Sequence, residues 1–311
     1  MERKTEHLRS SDGKTDLYLQ VWDPGDRPRA VLQIAHGMVE FIDRYDRFAR
    51  ALASEGILVA GHDHLGHGNS VTTKEDWGYF AKENGNRLVL EDMRAVRLML
   101  KESYPDSPYF LMGHSMGSFL TRQYLHTFPD DSFAGIILTG TGMQPAWLVS
   151  TGLMLAKMIR ALKGDRHRSQ FLTNLSLGSN NKPFKPSRTP CDWLTRDESI
   201  VDAYVADERN QFMFTASAFV DMFEGIKTLN KKTNLARMNR HIPILIAGGG
   251  DDPVGAMGKA PLAYAKQLEE LGLEDVTVKV YEGGRHELVN EVNYEEVYHD
   301  IASFILKYAV S

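Results

Sequence analysis

Along the first 140 or so residues, short runs of β-branched and aromatic positions alternate with longer stretches whose apolar residues recur at helical spacing. The runs at 17–22, 30–35, 57–61, 109–112 and 134–139 read as strands, and the stretches at 44–55, 87–103 and 117–127 as amphipathic helices. Pro105 and Pro108 divide the long helix from the strand after it, because proline brings no amide hydrogen. Such alternation predicts an α/β protein with a mostly parallel central sheet flanked by helices. From 142 to 232 no strand-like run occurs, and helical patterns are broken by a polar loop at 178–183. Strand-like runs resume at 242–247 and 276–281, with a helix expected at 259–271 between them and a last one at 294–308. The expected organisation is a core built from residues 1–141 and 233–311, interrupted by a helical cap over 142–232.

Composition narrows the function classes. A chain of 311 residues that is 42% hydrophobic can bury a sizeable core, and its length suits one large domain with an inserted subdomain. A formal net charge of −5 argues against a nucleic-acid partner, which needs clustered Lys and Arg to neutralise phosphates. Cys191 is the sole cysteine, so it has no partner for an intrachain disulfide or a paired zinc site. The N-terminus, Met1-Glu2-Arg3-Lys4-Thr5-Glu6-His7, is charged and no apolar h-region follows, so a cytoplasmic location is expected. The most apolar stretch, 147–162, contains Lys157 and Arg160 and is shorter than the ~20 residues of a membrane span.

The strongest chemical signal is Gly113-His114-Ser115-Met116-Gly117, a G-x-S-x-G set between a predicted strand and a predicted helix. A turn that sharp strains the serine and exposes its hydroxyl, while glycine two residues to either side leaves room for the neighbouring backbone. A serine hydroxyl is a poor nucleophile near neutral pH and needs a base, with an acid that fixes the base's tautomer. Both lie after later predicted strands, in the order Ser, Asp, His: the run to Gly250 ends in Asp251-Asp252-Pro253, and the run to Gly284 ends in Arg285-His286-Glu287. His286 is the expected base and Asp252 the preferred acid, with Asp251 in the same turn as the alternative.

Attack on a carbonyl builds an oxyanion that needs preorganised N–H donors. The backbone amide of Met116, directly after the serine, is one expected donor, and that of Met38 in His36-Gly37-Met38-Val39-Glu40 is the other. His36 is expected to brace this loop. Asp63-His64-Leu65-Gly66-His67-Gly68-Asn69-Ser70 offers an aspartate and two histidines close together, but its glycines suit a shaped loop under the site better than a metal centre. No cofactor and no metal is expected.

These motifs, with Arg44-Tyr45, Asp252-Pro253-Val254-Gly255 and Glu282-Gly283-Gly284-Arg285-His286-Glu287, resemble the monoglyceride lipase and lysophospholipase branch of the α/β-hydrolases, often labelled serine aminopeptidase S33-like. The resemblance spans nearly the whole chain, and 186–197 also resembles the cap of bacterial lysophospholipase-like members. It implies Ser115, Asp252 and His286 as a triad and the Met38 and Met116 amides as the oxyanion hole, in agreement with the residue-level reading. Phe41 departs from the pattern, since many relatives carry histidine there.

The 147–162 stretch is apolar over more than one helical face, and Phe212, Phe214, Phe219 and Phe223 add aromatic material to the cap's second half. Burial against the core is the simpler outcome. An acyl tunnel, or transient contact of the cap with a membrane surface, is the sharper one. The expected activity is a serine esterase cleaving monoacyl lipids such as monoacylglycerol or lysophospholipid through an acyl-enzyme. An aminopeptidase or amidase with the same triad is the alternative, for which Asp202, Asp207 and Glu208 would have to gather at the cap mouth. A non-catalytic ligand-binding module on the same fold is the reading from a different class. Oligomeric state is not legible.

Overall fold

A computed structural model describes residues 1–25 and 27–309. The sheet has eight strands: β1 (Glu2–Arg9), β2 (Asp16–Asp23), β3 (Ala30–Ala35), β4 (Ile57–His62), β5 (Tyr109–His114), β6 (Gly135–Thr139), β7 (Ile244–Gly249) and β8 (Val276–Tyr281). Their spatial order is β1-β2-β4-β3-β5-β6-β7-β8. The β1–β2 and β2–β4 pairs are antiparallel, and every later pair is parallel. This is the α/β-hydrolase fold.

Strands β3 to β7 are buried at every position, which is why they read as unbroken apolar runs rather than alternating ones. Helices cover both faces. On one, α1 (Asp46–Ser54) presents Phe48 and Leu52 to the core, beside residues of the final helix. On the other lie α2 (Gly85–Ser103) and α3 (Met116–Thr127), which bury Val89, Val96, Leu120 and Tyr124.

Between β6 and β7 the chain forms α4 (Ala146–Lys163), α5 (Gln170–Leu177), α6 (Glu198–Ala206), α7 (Ala216–Thr228) and the short α8 (Lys232–Leu235). The sheet-type contact recorded there is a single Arg168–Thr215 bridge. Helices α4 and α7 pack against each other, and the Gly152 backbone of α4 lies on the ring of Phe223. Then α9 (Lys259–Glu270) joins β7 to β8 and α10 (Tyr294–Tyr308) ends the chain, burying Val297, Ile301 and Ile305.

One strand has no counterpart in the sequence reading, and one helix boundary needs correction. Residues 2–9 form a full strand that pairs with β2 along its whole length, although six of the eight are exposed. An edge strand of charged residues has no apolar period, so only its partner reveals it. The helix expected over 44–55 begins instead as a single tight turn at Ile42–Tyr45, with the α-helix proper from Asp46.

Candidate active site

In a parallel sheet all strand C-termini face one edge, so the loops after β3, β5, β7 and β8 meet there although they are far apart in sequence. Ser115 directly follows β5 and caps α3 with φ +52° and ψ −118°, a conformation that is costly for a residue with a Cβ. The flanking glycines make it attainable. A Cβ at Gly117 would overlap the Ala35 carbonyl of β3, and one at Gly113 would overlap the Gly117 carbonyl. The Ser115 amide donates to Thr139 O of β6 at 3.0 Å, tying the turn to the sheet.

Asp252, fully buried after β7, places Oδ1 3.0 Å from His286 Nδ1. The turn directs its neighbour elsewhere: the Asp251 amide donates to Gly284 O, and that residue stays partly exposed. The second hydrogen bond to Asp252 Oδ1 comes from the Val254 amide, at 2.9 Å. Burial by itself would lower the His286 pKa, but the charge and hydrogen bond of Asp252, with Glu287 and Glu40 behind them, hold it above the ordinary histidine value. The His286 ring lies 4.8 Å from that of His114, the residue before Ser115. His114 bonds Thr139 Oγ1 through Nδ1, and burial pushes its pKa down to about 3, so it is neutral.

The loop after β3 runs directly against the serine. A Cβ on Gly37 would lie 3.1 Å from Ser115 Cβ. Among the described residues neither the Met38 nor the Met116 amide has a hydrogen-bond acceptor, and both residues line the same cavity as Ser115. His36 braces this loop, its Nδ1 bonding Gly37 O and its Nε2 accepting from the His64 amide at 2.9 Å. Asp63 shapes the floor by accepting from the Ile42 and Asn69 amides, each at 2.7 Å. Among the described residues no group of three His, Cys, Asp or Glu side chains is placed to hold a metal ion.

Several residues at the site carried no assigned role in the sequence. The ring of Trp193, from the segment between α5 and α6, lies 4.8 Å from that of His286, and its carbonyl accepts the His286 amide. Arg44 forks onto Glu287 with two 2.6 Å bonds and reaches Glu40 Oε2 at 3.0 Å. The i,i+4 spacing of Glu40 and Arg44 hinted at the second contact, but nothing local announced the first. Phe41 carries the Arg209 guanidinium 3.7 Å above its ring.

Ser115 opens into a cavity of about 240 Å³ between the sheet edge and helices α4, α5 and α7. One side is apolar, bounded by Phe119, Leu148, Met222, Phe223 and Ile226, and a much smaller crevice lined by Phe80 and Leu120 shares Phe119, Met222 and Ile226 with it. Ser176, Asn180 and Gln144 supply polar lining, and no described lining side chain is ionisable. Asp202, Asp207 and Glu208 lie outside it, paired with Arg188, Arg209 and Lys74.

A family model described as serine aminopeptidase, S33, matches residues 26–293. The monoglyceride lipase of Mus musculus is 29% identical over 316 aligned residues, covering 96% of this chain and 89% of that protein. The monoacylglycerol lipase of Mycolicibacterium smegmatis is 26% identical over 98% of both chains. The structure of a thermostable carboxyl esterase from Bacillus coagulans, in complex with glycerol, matches with a TM-score of 0.91 at 28% identity, over 99% of each chain.

Proposed function

Because the chain belongs to the serine aminopeptidase S33 family and is a carboxylic-ester hydrolase, we propose that it cleaves monoacyl lipid esters at Ser115, with monoacylglycerol preferred to lysophospholipid. Ser115 Oγ attacks the ester carbonyl while His286 takes its proton, and the oxyanion rests on the Met38 and Met116 amides. His286 then protonates the departing alcohol, and a water that it activates hydrolyses the acyl-enzyme. Residues 142–232 act as the cap that roofs the apolar side.

The observation that carries the reading is the cavity. It joins the strained Ser115 turn to a largely apolar lining and presents no charged side chain to pair with a phosphate or a free amine. A neutral hydroxylated leaving group fits such a lining. A charged head group would give up hydration without a counter-charge. The same argument weighs against the aminopeptidase alternative.

The outer face of the cap supports transient contact with a lipid surface. Trp147, Met154, Met158 and Leu162 of α4 and Phe171 of α5 are all more than half exposed, on the helices whose other faces line the cavity.

The decisive assay compares turnover of monoacylglycerols, lysophospholipids and aminoacyl-naphthylamides by wild type and Ser115→Ala. Monoacylglycerol hydrolysis that vanishes in Ser115→Ala is expected. Preferred turnover of the naphthylamides, or an active Ser115→Ala protein, would refute the proposal.

A further inference from the structure

Two loops must hold their relative position for the proposed chemistry: the one after β3, with Met38, and the one after β8, with His286. They are about 250 residues apart in sequence. Glu40 ends the first loop, and its Oε1 accepts from the Gly37 amide, one residue before Met38, and from Tyr45 Oη at 3.1 Å. Glu287 follows His286 directly. Its amide donates to Leu194 O at 2.7 Å, and its Oε2 accepts from Asn290 at 3.1 Å.

A single guanidinium lies between these carboxylates. Arg44 gives two parallel N–H bonds to Glu287 and one to Glu40, and its side chain is 9% exposed against 5% and 4% for the two acids. The Tyr204 ring of α6 covers it, 4.7 Å from the guanidinium carbon, and Tyr204 Oη donates to Val39 O at 2.9 Å. Val39 itself has φ +58°, so the residue after Met38 is held in a left-handed turn by a hydrogen bond from the cap.

We propose that Arg44 is a positioning residue that locks the Met38 amide and the His286 ring into one register, with Tyr204 closing the tie from the cap. The inference rests on the esterase reading above. Three bonds from one planar fork fix distance and angle together, which a lysine point charge at the same place cannot do. The electrostatics single out the fork: burial alone would raise the Glu287 pKa, and Arg44 beside it overrides that and holds it low, whereas at Glu40 burial outweighs Arg44 and the pKa is pushed up to about 7. His286 is faced by Asp252 after β7, His114 at the end of β5, Glu287 in its own loop and Glu40 after β3, so Arg44 also offsets the negative charge around the base.

The test compares wild type with Arg44→Met and Arg44→Lys for kcat, KM, the pH profile of kcat/KM, and the rate of Ser115 labelling by a fluorophosphonate. For folded Arg44→Met we expect kcat about 10²-fold lower, the loss typical of a misplaced reacting group, with KM little changed. The acid limb should also move to higher pH, because Glu287 is no longer neutralised. Arg44→Lys, which keeps the charge without the fork, should restore the acid limb but recover kcat only in part. If Arg44→Met does not fold, Glu40→Gln keeps the Arg44–Glu287 fork and weakens the bonds of Glu40 to Arg44, the Gly37 amide and Tyr45, and a lower kcat in that folded protein is then required. Wild-type kcat in folded Arg44→Met or Glu40→Gln overturns the proposal. A wild type that labels but hydrolyses no monoacyl ester sinks the esterase reading alone and leaves the labelling rate as the readout for Arg44. A wild type that neither labels nor hydrolyses sinks both.

Discussion

Asp252→Asn isolates the charge beside His286 with little change of shape. In the proposed mechanism His286 becomes cationic in the transition state, and Asp252 Oδ1 sits 3.0 Å from its Nδ1 in a fully buried site. Taking the charge centres as about 4 Å apart and an effective dielectric of about 20, the attraction is worth about 4 kcal/mol. Its loss lowers the His286 pKa and slows acylation about 10³-fold. An asparagine can also turn its amide N–H towards Nδ1 and fix the wrong tautomer, taking the loss towards about 10⁴-fold. The Val254 amide keeps an oxygen acceptor only in the other amide orientation, so the two demands compete. The assay is kcat and kcat/KM for a soluble monoacyl ester across pH, with Asp251→Asn as control. The acid limb should move to lower pH in Asp252→Asn. Asp251→Asn, partly exposed and removed from the imidazole, should stay within about 0.5 kcal/mol of wild type. An Asp252→Asn enzyme within about tenfold of wild type, or an equal loss in Asp251→Asn, would refute the reasoning.

Two further predictions test the floor and the cavity. His62 is buried in β4 with no hydrogen-bond partner for either ring nitrogen among the described residues, and burial pushes its pKa down to about 4. The unfolded chain therefore binds this proton first, and stability is lost as pH falls from the ordinary histidine value through about 4. Relative to wild type, His62→Phe should gain about 2.5 kcal/mol between about pH 7.5 and about pH 4.5 in urea unfolding, and an equal difference at both pH values would contradict the assignment. Ile226 borders both the main cavity and the smaller crevice, so Ile226→Trp should block the apolar side. Excluding three or four methylenes costs about 3 kcal/mol, so long-chain esters should lose about 10²-fold in kcat/KM while short-chain esters keep theirs. Parallel losses across chain lengths would place the acyl group elsewhere.

The amino-acid sequence alone determined whatever rests on local pattern. Fully buried parallel strands need continuous apolar runs, so β3 to β7 were legible. A strained serine turn needs close-packed glycines, so Gly113, Ser115 and Gly117 announced themselves, and the order Ser, Asp, His followed from the direction of the strands. What tertiary structure decided depended on partners distant in the chain. Residues 2–9 are a strand only because β2 lies beside them. Asp252 rather than Asp251 meets the histidine because of how one turn is aimed. The apolar excess of α4 divided into Val149, Leu153 and Ala156, which are buried, and Trp147, Met154 and Leu162, which face outward, a division that needs the position of α7. Arg44 and Glu287 are 243 residues apart, and no periodicity encodes a hydrogen bond of that reach. Short-range sterics and periodicity are written along the chain, whereas the meeting of four loops at one sheet edge exists only once the strands have paired.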